Sequence, residues 1–165
     1  MNAYSTTNWA GAFTAISSSS AALTGLLFVA LSINLSQVIK GPGLIGRAIE
    51  VLILLISVLI VSTLLLMPGQ PTGSVASEIL SVALGAAVLL TYIHIRAPRR
   101  LLRVTGLMFA MRVIGAQVGP ILLIVGGISL LAHSGGGLYW VVPAMVAAMV
   151  AAIIGAWVML VEIVR

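Results

Sequence analysis

Apolar residues fill five long stretches, at about 9–35, 48–67, 75–95, 110–132 and 138–162, and polar residues gather mostly between them. A helix of about 20 apolar residues crosses a hydrocarbon core of about 30 Å. The in-out alternation of membrane strands is missing. The breaks carry turn chemistry: Gly41-Pro42-Gly43, Pro68 through Gly73, Ala97-Pro98 and Ser134 through Gly137. This pattern predicts an all-α polytopic bundle of five transmembrane helices, forming one transmembrane domain over residues 1–165. The start of the fourth span is ambiguous. Arg99 to Arg112 reads either as an amphipathic stretch at the interface or as part of the span itself.

Composition removes the soluble alternatives. The chain is 61% hydrophobic and 7% charged, with a mean hydropathy of +1.26. A soluble domain exposes far more charge than that. There is no cysteine, which excludes disulfides, thiolate metal sites and cysteine nucleophiles.

The net charge of +5 is placed unevenly. Lys40 and Arg47 flank the first connection, Arg96, Arg99, Arg100, Arg103 and Arg112 flank the third, and Arg165 lies beyond the fifth span. The second and fourth connections carry no Lys or Arg. By the positive-inside rule, the N-terminus is expected outside and the C-terminus in the cytoplasm. Trp9, Tyr139 and Trp140 then fall at the outer interface, and Tyr92, Phe109 and Trp157 towards the inner one. Residues 1–8 hold no basic side chain, so the first apolar run is expected to be a retained span rather than a cleaved signal. An odd number of spans does not divide into two inverted halves, which disfavours a repeat-built transporter.

Helix-face geometry adds a second layer. On the first span Ala10, Thr14, Ser18, Ala21, Gly25 and Ser32 share one side, a seam of small residues. Gly115, Gly119, Gly126 and Ser129 repeat the device on the fourth span, and Ala144, Ala148, Ala151 and Gly155 on the fifth. In lipid, close backbone approach through such seams holds helices together, so these positions are expected to pack helices. The second span is almost wholly Leu, Ile and Val and is expected to face lipid. Ser77, Ser81 and Gly85 line one side of the third. The seams exceed the needs of one small bundle, which suggests a homo-oligomer or docking to another membrane protein. Pro120 is expected to kink the fourth span and free the carbonyl of Ala116, with Gln117 nearby as a partner.

Candidate chemistry is sparse. Ser17 to Ser20 point in four directions around a helix, so only one or two share a surface. They read as packing with hydroxyls bonded to the preceding turn, or as a polar path lined by Ser17, Ser18, Thr24 and Gln117. Glu50 lies three residues after Arg47 and Glu162 three before Arg165, spacings that predict helix-surface pairs. No carboxylate falls at an expected midplane, which argues against a proton- or sodium-coupled pump. His94 and His133 are expected on opposite sides of the membrane, too far apart to share a metal. No hydrolytic or phosphate-binding motif occurs and Asp is missing, so no enzyme activity, cofactor or metal is expected. Arg96, Arg99, Arg100 and Arg103 form the densest charge cluster, expected to anchor on anionic headgroups or an acidic partner. No domain suited to nucleic acid accompanies it. The reading that follows is a non-enzymatic accessory or regulatory membrane subunit. The alternative is a homo-oligomeric channel or facilitator with a Ser/Thr-lined path through its first helix.

The run Ala22-Leu23-Thr24-Gly25-Leu26-Leu27-Phe28-Val29-Ala30-Leu31-Ser32-Ile33-Asn34-Leu35, with Arg47-Ala48 and Met67-Pro68-Gly69-Gln70 after it, resembles a group of small actinobacterial membrane proteins. Some of these carry the label of modulators of a membrane-bound ATP-dependent protease. The resemblance implies a multi-pass protein of a bacterial plasma membrane. It transfers no catalytic or binding residue, and it points to Ser32 and Asn34 as the place to seek a shared role.

Overall fold

The computed structural model describes residues 3–41, 43–96 and 106–164. They form a short 3-10 turn at Thr6–Trp9 and six α-helices: α1 Ala10–Ile33, α2 Leu35–Lys40, α3 Leu44–Leu65, α4 Thr72–Arg96, α5 Gly106–Leu131 and α6 Leu138–Val164. Five are long and apolar enough to cross a membrane. The all-α, five-span architecture is therefore the one the hydropathy pattern predicts, and α2 is an addition to it.

The boundaries have local causes. α1 stops at Asn34, whose backbone N–H and side-chain amide both donate to the carbonyl of Ala30. The chain then restarts as α2, which seats Val38 in the core. Gly43, with φ 86°, turns the chain into α3 through a conformation that favours glycine. α3 therefore begins at Leu44, earlier than its apolar run, and takes Arg47 into the helix. Gly106–Arg112 belongs to α5, so that part of the ambiguous stretch continues the fourth span, while residues 97–105 lie outside the described residues.

α3, α4, α5 and α6 pack as a four-sided ring, each against the next and α6 back against α3. α1 lies outside the ring on α3 and meets α6 only lightly. The expectation that the second span faces lipid is thus corrected. α3 is the most enclosed helix, with Val51, Leu54, Leu55, Val58 and Val61 at 2% exposure or less. A helix apolar all round fits a position with neighbours on several sides. Its polar residues do not oppose this, because Ser57 and Ser62 donate to the carbonyls of Leu54 and Val58 one turn back.

Ring contacts close over small residues. A Cβ on Gly119 would stand 2.7 Å from the Cβ of Ala148, and one on Gly126 would stand 2.7 Å from Val141. These positions bring α5 and α6 backbone to backbone. A Cβ on Gly155 of α6 would stand 2.9 Å from the Val51 side chain of α3. At the Gly135–Gly137 end, the N-terminal segment lies over the α5–α6 turn. Leu138 donates its N–H to the carbonyl of Ala3 at 2.9 Å, and Tyr4 stacks on His133. Gly137 has φ 48° and a carbonyl oxygen 2.6 Å from where a Cβ would sit, so no side chain fits there. Trp9 meets Tyr139 edge-on, and Trp140 donates to Gly135, which groups these three aromatics at one end of the bundle.

Candidate functional site

The alternating helix directions bring the C-terminal ends of α1, α4 and α6 and the N-terminal ends of α3 and α5 to one end of the bundle, the basic end. Among the described residues, five ionisable side chains meet there. Glu50, 7% exposed, accepts from Arg112 through Nε at 2.9 Å and Nη2 at 2.5 Å. His94 Nε2 stands 3.4 Å from the same Glu50 oxygen, close enough for attraction but not aligned as a hydrogen bond. Phe109 meets the His94 ring edge-on. Arg47 Nη2 pairs with Glu162 Oε1 at 3.3 Å.

The spacing-based pair of Glu50 with Arg47 is therefore corrected, whereas the pair of Glu162 with Arg165 involves a residue outside the described ones. Glu50 meets Arg112 across the ring rather than Arg47 on its own helix, and Glu162 meets Arg47, with Arg165 outside the described residues. The reason is burial. A carboxylate in this setting needs a partner that reaches it in the interior, and a charge-assisted guanidinium bond from α5 supplies one. The pairs link α3 to α5 and α6, with α4 alongside. The signal was available in the chain: Arg47, Glu50, His94, Arg112 and Glu162 all lie near helix ends on the side that carries the basic residues.

Beside this cluster α5 and α6 part. A cleft of about 530 Å³ opens between them against α3, with Arg47, Glu50, Arg112 and Glu162 at its polar part. Its walls are apolar, including Gly115, Ala116, Ala151 and Gly155, and its rim residues Met108, Met111 and Ile154 are exposed. Gly119 touches Ala148, but a Cβ on Gly115, one turn towards the basic end, would meet no atom within 4 Å. The GxxxG pair thus serves two purposes: one glycine closes the α5–α6 contact and the other leaves it open.

The remaining candidates divide between used and unused faces. Gly119, Gly126, Ala148 and Gly155 lie in contacts between helices of this chain. Thr14, Ala21, Gly25 and Ser32 lie outside such contacts among the described residues. All four are exposed, and a Cβ on Gly25 would meet nothing within 4 Å. α1 instead turns Phe13, Ser20 and Leu27 inward. A Ser20 hydroxyl bond to the carbonyl of Leu55, at 2.7 Å, fastens it to α3. Ser77, Ser81 and Gly85 are likewise exposed.

The polar-path residues are dispersed. Ser17 stands 3.4 Å from Thr63 of α3, Thr24 bonds back to Ser20, and Ser18 is exposed. Gln117 reaches Thr91 Oγ1 at 3.0 Å and Ala87 at 3.3 Å on α4, not the carbonyl of Ala116. It joins α5 to α4 while α5 runs on through Pro120. Arg96 is exposed with its guanidinium 4.6 Å over the Tyr92 ring, and Arg99, Arg100 and Arg103 lie outside the described residues. Among the described residues no three His, Asp, Glu or Cys side chains gather as a metal site. No protein-family model, curated protein or solved structure matches this chain.

Proposed function

We propose that this integral membrane protein is a non-enzymatic accessory or regulatory subunit that assembles through the outer face of α1. One observation carries the reading: the small-residue face of α1 at Thr14, Ala21, Gly25 and Ser32 meets no other helix among the described residues. Small faces permit the close backbone approach that drives helix association in lipid, as Gly119 and Gly126 of α5 do against α6. The ring holds itself together without α1's outer side, so a second copy or another membrane protein can take it. A membrane-bound ATP-dependent protease, to which the sequence resemblance points, is one such partner.

The polar-path reading has less support, because Ser17, Thr24 and Gln117 are engaged with neighbouring helices or their own backbone. The test is native mass spectrometry of protein extracted from its own membrane at native expression. Wild type should carry a second copy or a companion in fixed ratio, and Gly25→Leu should lose it while remaining folded. A wild-type chain found alone under conditions that preserve other membrane complexes would refute the proposal.

A further inference from the structure

The cleft between α5 and α6 combines an apolar trough with a charged head, and one of its charged groups is incompletely matched. Arg47 Nε is buried and has no hydrogen-bond acceptor among the described residues. An unmet donor on a guanidinium is costly, and a phosphate oxygen is an acceptor well suited to it. Arg112, at the same end of the cleft, makes its bonds to Glu50 through Nε and Nη2, and Nη1 is a further donor. Glu162 is the exposed member of the cluster, 42% accessible, and meets Arg47 through Oε1.

The polar part of the cleft therefore alternates in sign: two guanidiniums, the buried carboxylate of Glu50 bound by Arg112, and the accessible carboxylate of Glu162 at the edge. The two guanidiniums and two carboxylates that line it balance in formal charge. A bare anion would add a charge beside two carboxylates. A headgroup carrying both a phosphate and an ammonium meets each sign with its opposite. The whole cleft, about 530 Å³, has the size of a small-molecule site, which spans about 300 to 1,000 Å³. Its exposed rim at Met108, Met111 and Ile154 opens sideways from the bundle, where lipid chains lie.

We propose that this cleft binds one phospholipid with an amine-bearing headgroup. The phosphate accepts from Arg47 and Arg112, the ammonium faces Glu162, and an acyl chain runs along the trough that Gly115 leaves open. Gly115 is thus a specificity position: its missing side chain makes room for the chain, whereas Gly119 one turn away serves helix contact.

Delipidated full-length protein in detergent should be titrated with phosphatidylethanolamine, phosphatidylcholine and phosphatidylglycerol of identical acyl chains, and the adducts counted by native mass spectrometry. A single phosphatidylethanolamine adduct should form at about tenfold lower lipid than either of the others, the effect of one charge-assisted contact. Gly115→Leu fills open space and removes no contact, so it should keep the helical circular dichroism of wild type and lose the adduct. Glu162→Gln should keep an adduct and lose the preference for the amine. A ladder of equivalent adducts, indifferent to headgroup and unchanged by Gly115→Leu, would overturn the site. Tighter binding of phosphatidylglycerol would overturn the place given to Glu162.

Discussion

α1 and α3 are both uncharged through their middles and both long enough to span a membrane, yet 17% of the apolar 18-residue stretch within Thr6–Ile33 is buried against 56% of the one within α3. The more apolar helix is the enclosed one, and the helix rich in Ser, Gly and Ala is peripheral. In water that order would follow from hydrophobic burial alone. In lipid it does not, since hydrocarbon tails are as apolar as Leu and packing decides. The difference teaches that α3 is central because it has complementary neighbours on three sides, α1, α4 and α6, and that α1 is joined to the rest mainly through one face. Small residues on that helix's other side meet no other helix among the described residues.

The contrast can be broken most forcefully at the buried charge cluster. Arg112→Met leaves Glu50 enclosed without its guanidinium and should cost about 3 to 5 kcal/mol of stability. Thermal unfolding in detergent would register this, and adding Glu50→Gln should recover much of the loss. Gly119→Leu forces a side chain onto Ala148 and should cost about 1 to 3 kcal/mol, whereas Gly25→Leu enters open space and should leave the isolated chain within about 0.5 kcal/mol of wild type. A comparable loss from both glycines in the isolated chain would remove the distinction between used and unused seams. Ser20→Ala removes the hydroxyl bond from α1 to α3 and should cost about 0.6 to 1 kcal/mol, seen as earlier proteolysis of α1 relative to the ring. Orientation has a test that leaves stability untouched. In this cysteine-free chain, Thr72→Cys should react with an impermeant label from outside and Arg99→Cys only from inside, as charge placement predicts.

Much of the fold was legible because length and apolarity identify a span almost without help from context. The helix ends moved where a local device overrode hydropathy, as at Gly43 and Asn34. What was not legible was the side each helix shows its neighbours. The Leu, Ile and Val run of α3 reads equally as lipid-facing or enclosed, and the seam of α1 reads equally as internal or external contact. The charge cluster was half legible. Its five residues can be placed at one depth from topology, but short spacing suggests Arg47 with Glu50, and only the ring geometry brings Arg112 to Glu50. Gly115 shows the same boundary: spacing marks it as a partner of Gly119, while the divergence of α5 from α6 determines that it lines a cleft.

The central claim is that the outer face of α1 meets a helix from outside this chain. Single cysteines placed along α1 and oxidised in native membranes test it directly. Cysteines at positions 14, 21, 25 and 32 should give periodic crosslinks, to a second copy when paired with themselves or to a companion through a bifunctional reagent. Positions 13, 20 and 27, turned inward, should give none. Uniform or absent crosslinking across both sets would contradict the account.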